Sequence, residues 1–278
     1  MKGFQQTLKN RISFNGQALH CGKDVAVNLI PQPVDTGVLF ARSDLPGKPV
    51  LKATPANVVD TLRSMAIGAD GWRIQTIEHL MAALHALQVD NLLVEVDGPE
   101  LPLGDGSAQF FMKKILEAGL VTQEKPRKVR KITAPVAVID EREPHSYLIA
   151  LPGKGLRLSY YFTSDHKVTG NQFAQYVITP EVFQKEIAPA RTIAFYRELE
   201  ALRKQGLALG GNMDIAVVVG EDSYLNPLRF EDEIVRHKIL DLLGDPYLLG
   251  PIEGEIIGLR SGHKLDLELA LKLENQLV

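Results

Sequence analysis

The chain has 278 residues, enough for two domains that each bury a core of their own. Its 45% apolar and 23% charged residues are close to the averages of globular proteins and exclude a disordered chain. A net charge of -3 predicts that nucleic acid is not a partner. No apolar run approaches the roughly 20 residues of a membrane span, so we expect a cytoplasmic protein with no transmembrane segment.

The first half predicts short strands to about residue 60, a helix over 76–88, a strand over 91–96 and a helix that opens at Ser107. The second half repeats this order, with strands from about 131, a helix over 231–243, a strand over 255–259 and a helix from about 264. This predicts an α+β fold of two similar domains, each a helix layer on a sheet. The repeat indicates an internal duplication, and we expect the active site where the two equivalent helices meet.

A boundary between the halves is predicted by the segment TQEKPRKVRK over 122–131, which is polar, charged and contains proline. We place it near Pro126. The N-terminal domain is then 1–126 and the C-terminal domain is 127–278.

The helix over 76–88 has Thr76 as a suitable N-cap and Glu78 in the first turn, where a carboxylate suits the helix dipole. Glu78 and His79 lie away from the apolar stripe that is predicted to face the core. Taken singly, Glu78 is more commonly a charge that stabilises a helix start, and His79 is more commonly a hydrogen-bonded histidine, than a residue of an active site. Small alanine side chains on the same side leave room for a partner to approach.

The helix over 231–243 places His237 and Asp241 four positions apart, so that they share one helical face, nearly opposite its apolar side. An isolated pair with this spacing is more often a surface pair. Two histidines and one carboxylate, however, suit Zn²⁺ with an open position for water, and the single cysteine excludes a cysteine-rich site. His79, His237 and Asp241 are therefore the candidate ligands, with Glu78 as general base.

His263 follows a strand at the opening of the last helix, where it could protonate a leaving amine. A helix-start histidine without a catalytic task is an equally good interpretation. Asp245 could orient His263, but a carboxylate after Gly244 is also ordinary turn chemistry, and local sequence favours the turn.

Several separated strings together resemble the UDP-3-O-acyl-N-acetylglucosamine deacetylase family, which makes the committed step of lipid A synthesis. The resemblance covers essentially the whole chain, in order: GQALHCG near the start, TIEHLMAALHALQVDNLLVEVDGPELPLGDGSA, GNQ (170–172), ARTIAF (190–195), RFEDEIVRHKILDLLGD and SGH (261–263). The chain departs from the family pattern at Cys21 and Gly104, and it matches only loosely over 60–68.

The resemblance implies that His79, His237 and Asp241 bind zinc, that Glu78 is the base and that His263 is an acid or oxyanion partner. It further implies that Thr192 stabilises the oxyanion, that Lys238 contacts substrate and that Asp245 supports His263. From local sequence Thr192 is a strand or loop hydroxyl, and for Lys238 a solvated helix lysine is an even alternative. The family also has an apolar passage for the acyl chain, here expected in an insert near 193–219.

The expected activity is zinc-dependent hydrolysis of the N-acetyl group of UDP-3-O-acyl-N-acetylglucosamine, which releases acetate and the free amine. One alternative is a zinc amidohydrolase that acts on another acylated sugar, and another is a non-catalytic RNA-binding α+β module. Fe(II) can occupy similar ligands, and either Glu78 or His263 could protonate the leaving amine. A monomer is expected.

Overall fold

Two mixed β-sheets, each with helices on one face, organise the computed structural model, which describes residues 3–143 and 145–274. The strands of these residues are β1 (Phe4–Leu8), β2 (Ile12–Gln17), β3 (Asp24–Pro31), β4 (Val38–Arg42), β5 (Val50–Lys52), β6 (Val58–Asp60), β7 (Ala66–Ala69), β8 (Trp72–Gln75), β9 (Leu92–Val96), β10 (Leu120–Pro126), β11 (Arg130–Lys131), β12 (Val136–Ile139), β13 (Tyr147–Leu151), β14 (Leu156–Phe162), β15 (Gln172–Val177), β16 (Thr192–Phe195), β17 (Ala216–Val219) and β18 (Ile252–Leu259).

The helices of the same residues are α1 (Glu78–Ala86), α2 (Gln109–Ala118), α3 (Pro180–Val182), α4 (Tyr196–Lys204), α5 (Glu233–Gly244) and α6 (His263–Glu274). Short 3-10 turns lie at Pro55–Asn57 and Asp245–Leu249, and a π-helical turn lies at Phe183–Ile187. None of the helices in the described ranges is long and apolar enough to cross a membrane.

The two large sheets share one strand order. The first runs β2-β3-β9-β4-β5 and the second β12-β13-β18-β14-β15, with β11 added beside β18. In each, the third strand pairs parallel with the fourth, and the other neighbours along this order pair antiparallel. The predicted α+β fold is confirmed. The shared order is the pattern that a duplication would leave, and the duplication itself stays a prediction.

The core lies between the sheets and their helices because the strands alternate in burial. In β18 every second residue is buried, as expected for a sheet with one face against helices. Helix α5 packs on β14 and β15, α6 packs on β12 and β13, and α1 packs directly against α5. Helix α1 is buried along its whole length, so that the two predicted site helices meet inside the protein.

The predicted helix starts were partly wrong. Helix α1 begins at Glu78, and Thr76 does not cap it, because its hydroxyl instead donates to Glu100 Oε1 at 3.1 Å and its φ of 61° takes the backbone out of the helix. Helix α2 begins at Gln109 and not at Ser107, whose hydroxyl accepts from the Gln109 N–H at 3.2 Å. In both cases a side-chain contact next to the helix sets where it can begin.

Much of the predicted linker over 122–131 is strand, because its first five residues belong to β10 and its last two form β11. Strand β10, which ends at Pro126, pairs with β1, whereas β11 begins at Arg130 and pairs with β18 of the second sheet. The domain boundary near Pro126 is compatible with these pairings and stays a prediction.

Candidate active site

Two imidazoles and one carboxylate come together where α1 crosses α5. The His237 Nε2 atom lies 3.4 Å from Asp241 Oδ1, and His79 Nε2 lies 4.0 Å from the same oxygen. The ligand atoms of the three side chains all lie within 4.8 Å of one another, and all three residues are buried. The imidazole rings are 5.0 Å apart and nearly perpendicular. This group could hold a metal ion.

The donor set passes a chemical test for a divalent cation. The nitrogen and oxygen ligands of a tetrahedral zinc lie about 3.3 Å apart, close to the 3.4 Å between His237 Nε2 and Asp241 Oδ1, and His79 Nε2 lies 4.0 Å from the same oxygen. The Nδ1 atom of His237 lies 3.1 Å from the Ala190 carbonyl oxygen, which leaves Nε2 with its lone pair. A backbone acceptor behind an imidazole is the usual arrangement for a histidine that binds a metal.

Charge and burial keep these groups in the forms that bind a cation. Burial lowers the pKa of His79 to about 3, with a further contribution from His237, so its imidazole is neutral near pH 7. Burial also lowers the pKa of His237. Burial alone would raise the pKa of Asp241, but Lys238 and the neighbouring imidazoles outweigh it and the pKa is lowered. The Lys238 ammonium donates to Asp241 Oδ2 at 2.7 Å.

Glu78 is the first residue of α1 and is only 3% exposed. Its Oε2 atom accepts from the Met65 N–H at 3.0 Å, which fixes one side of the carboxyl group. Burial raises the pKa of Glu78 to about 8, with Asp245 and Asp241 adding to this rise and His263 opposing it. A carboxyl with such a pKa can exchange a proton near neutral pH.

His263 opens α6, and its Nδ1 atom lies 2.7 Å from Asp245 Oδ2. Asp266 joins them, with one ligand-type atom from each of the three residues within 4.8 Å of the others. Burial raises the pKa of both carboxyl groups, and the neighbouring Asp245 raises that of Asp266 further. Of the two carboxyl groups, Asp245 is the one whose Oδ2 atom meets the His263 imidazole.

Thr192 begins β16, and its backbone N–H donates to the Gly106 carbonyl of the first half at 2.9 Å. The residue lines a cavity of about 660 Å³, together with the rest of β16, the start of α4, residues of the loop over 208–215 and two residues of β17. Leu19, His20 and Arg63 of the first half also line this cavity. The three metal-competent side chains are not among its lining residues.

Around the contact of α1 with α5 the structure brings together the predicted residues of these two helices and the pair of Asp245 and His263, whereas Thr192 lies on the wall of the cavity, which none of those residues line. Glu78 and His79 come from α1, Lys238 joins His237 and Asp241 on α5, and Asp245 and His263 form a hydrogen-bonded pair nearby. The sequence reasoning missed Asp266, although its spacing of three from His263 places both on one face of α6. It also missed Arg191 and Glu233, whose pairing has no local signal because 42 residues separate them.

A fold of two mixed sheets with a buried group of two histidines and an aspartate between their helices defines an α+β protein with a candidate cation site. A family model described as UDP-3-O-acyl N-acetylglycosamine deacetylase matches residues 5–275. The chain belongs to this family of deacetylases, which confirms the resemblance found in the sequence.

Three similar proteins bear the name UDP-3-O-acyl-N-acetylglucosamine deacetylase. The one from Syntrophotalea carbinolica is 42% identical over 97% of this chain and 87% of its own length. The one from Bdellovibrio bacteriovorus is 40% identical over 97% of this chain and 89% of its own. The one from Acidithiobacillus ferrooxidans is 45% identical over 94% of this chain and 87% of its own.

Proposed function

We propose that the protein hydrolyses the N-acetyl group of UDP-3-O-acyl-N-acetylglucosamine in lipid A biosynthesis, releasing acetate and the free amine. The family and the names of the relatives support the substrate. The observation that carries the chemistry is the convergence of His79, His237 and Asp241, whose ligand atoms lie within 4.8 Å of one another in a buried place. We propose that these three side chains hold Zn²⁺.

Zinc is favoured by the donor set, because two imidazole nitrogens and one carboxylate oxygen are the ligands of many hydrolytic zinc sites. When bound, the ion supplies positive charge that polarises an amide carbonyl, lowers the pKa of a water to about 7 and favours the ionised form of a nearby carboxyl group. The low pKa of His79 means that it needs no deprotonation near neutral pH before it binds a cation.

Glu78 acts as the general base in this proposal. Its carboxyl lies beside a ligand in sequence and is held by the Met65 N–H, so it takes the proton of the attacking water without moving far. Its raised pKa also lets it keep that proton until the amine can accept it. The same carboxyl can therefore serve first as base and then as acid.

Thr192, Lys238 and His263 supply the charge and hydrogen bonds that the tetrahedral oxyanion needs. The Thr192 hydroxyl donates towards the oxyanion, and Lys238 contacts the substrate from a place already fixed by Asp241. His263 is held through Nδ1 by Asp245, which leaves Nε2 free to donate to the oxyanion or to the leaving amine.

The cavity beside Thr192 is proposed to hold the acyl chain. Apolar side chains make up much of its wall, including Leu19, Ile193 and Val218, and many residues of the predicted insert over 193–219 line it. Burial of a long alkyl chain there would contribute about 0.8 kcal/mol for each methylene group removed from water.

With the proposed domain boundary near Pro126, each of the two domains contributes one side of the active site.

The test combines metal analysis with hydrolysis by the purified chain. We expect one Zn²⁺ per chain and acetate release from the acylated nucleotide sugar. His79→Ala, His237→Ala and Asp241→Ala should lose both, whereas His145→Ala, at an exposed position, should lose neither. Equal hydrolysis of the sugar nucleotide without its O-acyl chain would favour an amidohydrolase of other substrates. A metal-free protein with salt-sensitive RNA affinity would refute the enzyme proposal.

A further inference from the structure

A buried ion pair joins the base of the insert to the first turn of α5. The Glu233 side chain is fully buried, and that of Arg191 is 7% exposed. Arg191 donates to this carboxylate from its Nε at 2.9 Å, its Nη2 at 3.2 Å and its backbone N–H at 3.0 Å. The Arg229 backbone N–H adds a fourth hydrogen bond at 2.6 Å. The carboxylate is thus held on both oxygens.

Of the two neighbours of Arg191 in sequence, one contacts a candidate ligand and the other lines the cavity. Before Arg191, the Ala190 carbonyl oxygen lies 3.1 Å from His237 Nδ1. After it, Thr192 begins β16 and lines the cavity proposed for the acyl chain. Glu233 lies four residues before His237, one turn earlier on the same helix. The ion pair therefore ties the segment 190–192 to the turn of α5 just before a candidate ligand.

Such a pair restricts geometry more than an ordinary contact does. A buried carboxylate is tolerated only if its partners remain in place, because the unpaired charge is costly. The planar guanidinium fork accepts few orientations of its partner. Arg191 Nη2 also donates to the Pro227 carbonyl at 2.7 Å, which fixes the fork from its other side. Movement of segment 190–192 relative to α5 would break several of these bonds together.

We propose that Arg191 and Glu233 are positioning residues that set, through one ion pair, both the ring orientation of His237 and the place of the Thr192 hydroxyl. The hydrogen bonds of the pair join the two residues to each other and to the backbone of Pro227 and Arg229, so its proposed effect on the site is indirect. It acts through the Ala190 carbonyl, which selects the His237 tautomer that presents Nε2, and through the backbone that carries Thr192. This inference rests on the proposed function, which gives His237 and Thr192 their roles.

The experiment measures the Zn²⁺ dissociation constant by chelator competition, together with kcat and KM, in wild type, Arg191→Met and Glu233→Gln. We expect the dissociation constant of both variants to rise by about tenfold to a hundredfold. We expect the factor by which kcat falls to exceed the factor by which KM changes, because the Thr192 hydroxyl, the proposed oxyanion partner, is displaced as well. The matched control is Arg127→Met, which removes another buried guanidinium pair, with Asp90 at 2.6 Å. It should lower stability without changing zinc affinity or kcat.

The proposal is overturned if the Arg191 and Glu233 variants fold and keep the zinc affinity and kcat of wild type. It is also overturned if Arg127→Met loses zinc affinity and kcat to the same extent as they do. If Arg191→Met does not fold, Arg191→Lys decides, because it keeps the charge but loses the fork. Its zinc affinity should then lie between those of wild type and Glu233→Gln, and a wild-type value overturns the proposal. A wild-type chain without zinc or deacetylase activity would instead refute the proposed function, so the two failures can be told apart.

Discussion

Gly244 of α5 packs so closely on α1 that a Cβ atom at this position would lie 2.2 Å from the Glu78 carbonyl oxygen. The glycine has an ordinary helical φ of −79°, so its backbone conformation does not require glycine. The close approach does. This close approach of the two helices lets α5 bring its two candidate ligands against His79. The contact is with the backbone of Glu78, whose side chain is the candidate base.

Gly244→Ala is expected to destabilise the protein by about 1–3 kcal/mol, because the methyl group must push two helices apart. Glycine to alanine at an unhindered helical position would instead gain up to about 1 kcal/mol, so the sign of the change is diagnostic. Denaturant unfolding measures it, with zinc affinity expected to fall in parallel. The control is Gly3→Ala, where a Cβ meets nothing within 4 Å. A stabilised Gly244→Ala would contradict the packing.

Glu78→Gln should lower kcat by about 10²–10⁴ while zinc content stays that of wild type. The amide keeps the volume and can still accept from the Met65 N–H, so only the exchangeable proton is lost. Steady-state kinetics and metal analysis on the same sample separate the two effects. Wild-type turnover in this variant would remove Glu78 as base, and loss of zinc would make it a ligand instead.

Asp245→Asn and Asp266→Asn should differ in their effect on kcat although both carboxyl groups are buried beside His263. The Asp245 Oδ2 atom lies 2.7 Å from His263 Nδ1, so the amide weakens the contact that orients the imidazole. Burial and the neighbouring Asp245 raise the pKa of Asp266, which favours its neutral acid, and asparagine resembles that form. We expect a fall of about 10²–10⁴ in kcat for the first variant and little change for the second. Equal losses would contradict the assignment of the orienting role to Asp245.

The losses of kcat caused by Asp245→Asn and by His263→Ala should not be additive in the double variant. If Asp245 acts only by holding His263, the double variant will be no slower than His263→Ala alone. Kinetics of the two single variants and the double variant test this. Additive losses would mean that Asp245 has a task independent of the imidazole.

His85 should make the folded state sensitive to acid. Its Nδ1 atom lies 2.9 Å from the Leu243 carbonyl oxygen, its ring stacks on Tyr247, and burial lowers its pKa to about 3 from 6.5. Below pH 6.5 the His85 imidazole is protonated in the unfolded chain but stays neutral in the folded chain. The free energy of unfolding therefore falls as the pH falls from 6.5 towards 3.

His85→Phe removes this proton but keeps the ring. The unfolding free energy of wild type minus that of the variant should therefore decrease on acidification, by at most about 1.4 kcal/mol per pH unit. Chemical denaturation at several pH values between 7 and 5 measures the difference. His145→Phe, at an exposed position, serves as the control for loss of an imidazole. A His85 difference that does not vary with pH would contradict the expectation.

Local patterns in the sequence determined the helices, the alternating strands and the face that His237 shares with Asp241, because periodicity and spacing of four depend only on neighbours along the chain. The resemblance to a family carried the roles of Thr192 and Lys238, for which local sequence offered only ordinary interpretations. The tertiary structure alone decided how near α1 comes to α5, because that distance depends on the missing side chain at Gly244. It also decided that Arg191 meets Glu233 and that Asp266 meets Asp245, since contacts between residues far apart in sequence arise only when separate elements pack together.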